Sequence, residues 1–320
     1  MGLGRIVTMA ALVLSPAAAA QDYPAKSIRL IVPFPAGGPS DSIARVVADK
    51  IASLLGQPMV IENRGGAGGV TGTALVAKAE PDGYTIGLGS AGSLAISLSL
   101  QDKIPYDPLK DLKLLTLVAI SPEVLVIGRG VEAASTAELI GIAKAKPGKL
   151  NFASTGKGSM SHLSSELFRL STGIDIVHVP YSGASPAVND LLGGHVQMLF
   201  ADIQVLLGSV QSGQLRALAM GGKRRAVALP HVPTTTELGL PQVEASNWYG
   251  AVLPPATPAA IVGKLHAAFV AAIRSDEVKA KLIPQGCDLI GDTPEQFQAF
   301  VTAEIAKWGR VVRDAGVKGN

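Results

Sequence analysis

The chain has 320 residues, 48% of them apolar and only 4% aromatic, with a formal net charge of +3. That length and apolar content suffice for a large core and favour two domains over one, while scarce rings and a near-neutral balance argue against a nucleic-acid surface, where clustered cations interleave with stacking aromatics. The single cysteine, Cys287, excludes an internal disulfide, so stability rests on burial.

The first residues, MGLGRIVTMAALVLSPAAAAQ, place Arg5 ahead of an apolar stretch that runs to Leu14, then Pro16 and the small residues Ala17 to Ala20. This pattern predicts a cleaved signal peptide over 1–20, with no cysteine at the cleavage point to carry a lipid. No later segment reaches roughly 18 uninterrupted apolar residues, which argues against a membrane-embedded body. The mature chain is expected to be exported and soluble.

Beyond the leader, SIRLIVPF predicts a strand over 28–34 and SIARVVADKIASLLG a helix over 42–55, whose Ile43, Val47, Ile51 and Leu54 recur at helical spacing. Between them lies the glycine-rich turn PFPAGGPSD. Unpaired N–H groups and the positive end of the helix dipole converge there, which favours an anion: a phosphate, a carboxylate or a capping side chain. Strands follow near 59–63 and 84–88, with a helix near 70–79, before the irregular stretch QDKIPYDPLKDLK at 101–113.

The middle of the chain alternates most regularly. EVLVIG, LNFAS, DIVHVPY, VQMLFAD and LRALAM read as strands, with helices beginning near Ser135, Ser159, Ser185 and Ile203. Ser135 with Glu138 spells a capping box, and Ser185 before Pro186 an N-cap with proline at the first helical position. A second irregular stretch, 221–247, ends this block. The strand GAVLPP, helices starting at Thr257 and Thr293, and CDLIG between them complete the chain, with Thr293, Pro294 and Gln296 marking a cap. Two irregular stretches around a regular middle imply an inserted domain. The expected architecture is α/β with two chain crossovers: lobe 1 from 21–122 with 223–320, and lobe 2 from 123–222.

The turns at the strand ends, PAGGPSD, RGGAGG, GLGSAGS, STGKGS, YSGAS and FAD, concentrate glycine and serine on the sheet edges where α/β proteins bind ligands. If the lobes face each other, the site is a cleft. GLGSAG has dinucleotide-fingerprint spacing, but Pro105 and Pro108 follow too soon for the helix that the motif needs. GKGS lacks the remaining residues of a phosphate-binding loop. There is no G-x-S-x-G elbow and no H-E-x-x-H, and the five histidines lack metal-ligand spacing. His162, three residues beyond the cap Ser159, either touches a ligand or orients the loop. Asp202, at a strand end, either contacts the ligand or ordered water or caps the following helix.

The segments IRLIVPFPAGGPSDSIAR, VIENRGGAGGVTGT, PDGYTIGLGS, NFASTGKGSMSHL, VPYSGASPAVNDLLGGHVQMLF, SGQLRALAM and LPHVPTTTELGLP resemble, in order, successive motifs of the Bug-type (TctC-like) extracytoplasmic solute receptors. These are the periplasmic binding components of tripartite tricarboxylate transporters. The resemblance implies a two-lobed periplasmic-binding-protein fold that closes on a small organic acid like a Venus flytrap, without cofactor or catalysis, as a monomer that serves membrane permease subunits. It further implies that a carboxylate is gripped from both sides by Phe34, Pro35, Ala36, Gly37, Gly38, Ser40 and Asp41 in one lobe and by Ser154, Thr155, Gly156, Lys157, Gly158, Ser159 and His162 in the other. Ser90, Tyr181 and Asp202 are further candidates. Asp41 cannot favour a bare anion, so it is expected to cap the helix or to accept from a bridging water. Ala36 and His231 depart from the family's usual residues without touching the assignment, and Lys157 departs from them as a candidate specificity signal. Two alternatives remain: an exported hydrolase or transferase using His162 and Asp202 near Ser159, and a ligand sensor without its own transporter.

Overall fold

The computed structural model describes residues 23–101 and 103–318; the signal peptide expected over 1–20 lies outside them. The first elements are β1 (Ile28–Val32), α1 (Pro39–Leu55), β2 (Met59–Asn63), α2 (Val70–Ala77), β3 (Thr85–Ser90), α3 (Ser97–Leu100) and β4 (Lys113–Ile127). The middle block holds α4 (Thr136–Ala145), β5 (Leu150–Ser154), α5 (Met160–Thr172), β6 (Ile176–Pro180), α6 (Ala184–Leu192), β7 (Met198–Asp202), α7 (Ile203–Gln211) and β8 (Arg216–Met220). The chain then forms β9 (Ser246–Leu253), α8 (Ala259–Arg274), α9 (Asp276–Leu282), β10 (Asp288–Leu289) and α10 (Pro294–Ala315).

Local chemistry sets most helix starts. Ser159 and Thr293 cap α5 and α10 through their hydroxyls, and Gln296 completes the capping box on α10. Ser135 accepts from the Glu138 N–H as expected, but the Glu138 carboxylate takes the Ala134 N–H, one residue ahead of the cap. Two starts differ from the sequence reading. α6 begins at Ala184 behind Gly183, whose φ of 149° suits glycine, so Ser185 is inside the first turn and is not the cap. α1 begins at Pro39, because proline's fixed φ fits a first helical position ahead of the apolar periodicity.

The strands form one curled sheet in the order β2-β1-β3-β9-β4-β7-β5-β6, with β10 and β8 also on β4. β1 pairs in parallel with β2 and β3, and β5 with β6 and β7, whereas β9 is antiparallel to β3 and β4. β4 belongs to both halves of the sheet. Its first part pairs with β9 up to Pro122, and its last part, from Glu123, pairs with β7. The chain therefore crosses within this long strand, and the irregular stretch at 101–113 only leads into it. It returns at Gly221, where a Cβ would collide with the Ala245 carbonyl, so glycine lets the two passes lie side by side. Three backbone bonds lock them: Glu123 N–H to Ala245 O (3.2 Å), Gly221 N–H to Glu123 O (2.8 Å) and Ala245 N–H to Gly221 O (2.8 Å).

Helices cover both faces of each half. α1, α8 and α9 bury Ile43, Val47, Phe269 and Val278 on one face of the first half, and α2 and α10 bury Val76, Phe297, Val301 and Trp308 on the other. The second half is covered by α4 and α5 around Phe152, Phe168 and Phe200, and by α6 and α7 around Leu191 and Leu206. The buried Glu304 of α10 accepts from both Trp248 Nε1 (2.9 Å) and Trp308 Nε1 (2.7 Å), which fixes the last helix to β9. Met160 and Leu163 of α5 share that cluster, so the two halves also touch behind the strand ends.

Candidate functional site

The turns after β1, β2 and β3 on one side, and after β5, β6 and β7 on the other, open on a common cleft of about 780 Å³. Of the residues singled out from the sequence, Phe34, Pro35, Ala36, Gly37, Gly38, Ser40 and Ser90 line it from the first half. Thr155, Gly156, Lys157, Ser159, Tyr181 and Asp202 line it from the second. Asp41, Ser154, Gly158 and His162 are not among the lining residues. They lie behind the turns and shape them.

Asp41 is in the first turn of α1, 4% exposed, and the cap position belongs to Gly38. Its carboxylate accepts from the Gly37 N–H (2.9 Å), from Arg45 Nε (2.9 Å) and Nη2 (3.0 Å), and from Asn63 Nδ2 (3.0 Å). Burial alone would raise its pKa, but the Arg45, Gly37 and Asn63 bonds outweigh that and hold it below the ordinary carboxylate range. The Gly37 amide is thus spent inside the turn, and its φ of 82° makes that bend possible. The first-turn amides of α1, beginning at Ser40, have no acceptor within the helix, and they belong to a turn that faces the cleft.

The opposite turn is held by a stack of rings. His162 lies parallel to His178 with centroids 3.8 Å apart, and Phe152 stacks on His178 at 4.8 Å. His162 Nδ1 accepts from the Gly158 N–H (3.0 Å), and His178 Nε2 is 2.6 Å from Ser154 Oγ, which in turn accepts from the Gly156 N–H (3.3 Å). Burial, with the cost of protonating it beside His178 and Lys157, pushes His162 down to about 3, and burial with Lys157 pushes His178 down to about 4. Both rings are neutral near pH 7. His162 is bonded to the loop backbone and is not among the residues that line the cleft.

Where the strands meet, the cleft has an acidic floor. Glu123 of β4 and Asp202 of β7 are direct cross-strand neighbours. Asp202 makes no side-chain cap on α7; its Oδ2 accepts from Tyr249 Oη (2.9 Å) and Asn247 Nδ2 (3.1 Å). Burial raises both pKa values: that of Asp202 to about 6 despite the Asn247 and Tyr249 bonds and the nearby Ser121 hydroxyl, and that of Glu123 well above the ordinary range, with the Asp202 charge adding to it. Glu123, Asn247 and Tyr249 line the cleft but were not singled out from the sequence, whereas the turn YSGAS around Gly183 was expected at the ligand-facing edge and lines it. A charged residue opening the apolar run EVLVIG was the available signal for Glu123.

Among the described residues, five buried side chains carry a polar atom without a hydrogen-bond partner. Four of them, Ser40 Oγ, Ser90 Oγ, Glu123 Oε2 and Asp202 Oδ1, belong to residues that line this cleft. Ser159, His162 and Asp202 do not form a nucleophile–base chain. The Ser159 hydroxyl accepts from the His162 backbone N–H, His162 Nδ1 faces Gly158, and Asp202 faces β9. No group of three or more His, Cys, Asp or Glu among the described residues could hold a metal ion, and no helix among them is long and apolar enough to cross a membrane.

Comparison with known proteins agrees with this arrangement. The chain is 43% identical over 300 residues to Protein BugT of Bordetella pertussis, covering 93% of this chain and 92% of that one. Among solved structures, a Rhodopseudomonas palustris protein determined with adipate superposes with a TM-score of 0.88 at 34% identity, covering 93% of this chain and all of the other (100%). MatC from the same organism, with bound malate, gives 0.83 at 32% identity, covering 91% and 100%. Periplasmic binding protein BugD gives 0.85 at 32%, covering 93% and 100%. These neighbours are two-lobed periplasmic binding proteins, the architecture expected from the sequence. The sequence model described as Tripartite tricarboxylate transporter family receptor matches residues 43–317, and the chain belongs to that TctC family.

Proposed function

We propose that this protein is a periplasmic receptor that captures a small organic carboxylate between its two lobes and presents it to the membrane permease subunits of a tripartite tricarboxylate-type transporter. The lobes are taken as 21–122 with 223–320 and as 123–222, working as one monomer. The observation that carries the reading is the pair of unpartnered hydroxyls, Ser40 and Ser90, only 3% and 1% exposed, in residues that line the cleft beside the start of α1. A buried hydroxyl without a partner costs about 1–3 kcal/mol, and an acceptor from a ligand recovers it. A carboxylate supplies such acceptors and gains from the helix dipole. The starts of α5 and α6 add amides from the other lobe, so closure satisfies both ends of the grip. Relatives with adipate and malate bound fit the same chemistry.

A thermal-shift screen of small carboxylates tests this reading. An acid present at about 100 times its dissociation constant stabilises the folded protein by roughly 2.7 kcal/mol. The acid is expected to be recovered unchanged. Its turnover by the purified protein, or no shift with any acid, contradicts the proposal.

A further inference from the structure

Two of the orphaned oxygens at the cleft floor belong to neighbouring acids. Glu123 Oε2 and Asp202 Oδ1 are buried and without a partner, and their residues are opposed across β4 and β7, where Cβ atoms lie about 4.5–5.5 Å apart on one face of the sheet. Asp202 Oδ2 is already occupied by Tyr249 Oη and Asn247 Nδ2. Glu123 is 1% exposed, on a backbone clamped by Ala245 and Gly221 at the crossover. Two carboxyls this close and this dry do not both ionise. A single proton between them joins the two orphans in one O–H···O bond. The groups around the pair are otherwise neutral or already paired. β9 brings the Asn247 amide and the Tyr249 phenol, which burial and the two acids raise well above its ordinary value. α7 brings Gln204, bonded to Ser121 and to the Cys287 thiol, which burial pushes up to about 12. Asp288, next to Cys287, is tied to Arg224. Lys157, the cation among the lining residues, is exposed on the opposite turn.

An anionic ligand enters above this pair, and closure of the lobes removes further water from it. Both changes favour the protonated form. We propose that Glu123 and Asp202 share one proton and that capture of an acid depends on it, so that the receptor loses affinity as rising pH strips the proton from the pair. The inference rests on the carboxylate reading of the cleft, but it concerns the charge state of the receptor and not the identity of the acid. A proton held more tightly with the acid bound than without it gives affinity that is complete at lower pH and falls as pH rises through the range where the free protein loses that proton.

The test is calorimetric titration of the full mature protein with succinate, malate, glutarate and adipate from about pH 6.5 to about pH 9.5, where these acids stay ionised, in buffers of different ionisation enthalpy. The tightest binder is expected to lose at least about tenfold in affinity across that range, with up to about one proton taken up per acid bound where the loss is steepest. Glu123→Gln puts an amide hydrogen in place of the shared proton, so it should bind with a flat pH profile and no proton uptake. Asp202→Asn should do the same, which guards against a folding defect in either variant alone. Infrared difference spectra of the acid-free protein read the proton directly. A protonated-carboxyl band is expected in the wild type at neutral pH, absent from Glu123→Gln, and lost over the same pH range as the affinity. A flat wild-type profile, a slope that survives in both variants, or the absence of that band overturns the proton coupling and leaves the carboxylate reading standing. Binding of none of the four acids removes the carboxylate reading, and the coupling with it.

Discussion

Replacing His162 with Asn should change how the protein responds to acid. In the folded protein His162 is held neutral by burial, with a pKa pushed down to about 3, whereas an unfolded chain protonates it near 6.5. Between those values the unfolded state binds the extra proton, so stability is present above the unfolded value and is lost as pH falls. Integrated from pH 7 to pH 5, one such histidine removes about 2 kcal/mol. Glu123 and Asp202 act in the opposite sense. Their pKa values are raised in the folded state, so from the ordinary carboxylate range up to about 6 they favour folding at the lower pH, and the whole-protein curve is flattened. The difference between wild type and variant cancels their contribution. Asn places Oδ1 near the position of Nδ1, so the acceptor for the Gly158 N–H is retained. Urea unfolding, followed by both circular dichroism and tryptophan fluorescence, should show the wild-type advantage over His162→Asn shrinking by about 2 kcal/mol from pH 7 to pH 5. A gap that stays constant across that range refutes the neutral buried imidazole.

Three other substitutions test the turns. A Cβ on Gly38 would lie 3.7 Å from Pro35 O, an ordinary contact, so Gly38→Val should fold with an unchanged dichroism spectrum yet bind every acid at least about tenfold more weakly by crowding the amide face; unchanged affinity would move the grip elsewhere. Gly158 has a φ of 75° and its added Cβ would collide with Leu100 from the other half, so Gly158→Ala should cost about 1–3 kcal/mol in thermal unfolding; a neutral result would show that the two halves do not meet there. Lys157 is exposed at the cleft, so Lys157→Ala should weaken a dicarboxylate by about 0.2–1 kcal/mol more than a matched monocarboxylate in calorimetry; equal losses for both acids would reject a charge-selective role.

Legibility followed the range of the interaction concerned. The turn 34–40 and the cap at Ser159 could be read directly, because glycine and proline spacing, a flanking apolar run and a hydroxyl three residues ahead of its N–H partner are local facts. The fate of Asp41 was not local. Its carboxylate is claimed by Asn63, from the neighbouring strand, as well as by Arg45 one turn on. The same holds for the ring stack: His162 and His178 meet only because β5 and β6 pair in register, placing Phe152 opposite His178. Strand β4 was read only from Glu123 onward, since Pro122 and the irregular lead-in obscured its first part; the crossover was expected between 122 and 123, but not that one continuous strand carries it, with Glu123 facing Asp202.

In the proposed mode of binding a carboxylate is held between the start of α1 and the Thr155–Ser159 turn. A crystal structure of the protein with the acid that gives the largest thermal shift tests it most directly. A ligand carboxylate is expected in hydrogen-bond contact with the Ser40 and Ser90 hydroxyls and the first-turn amides of α1, with the lobes closed and residues 155–159 contacting the same ligand. A carboxylate bound at any other surface, or one that leaves Ser40 and Ser90 without partners, contradicts it.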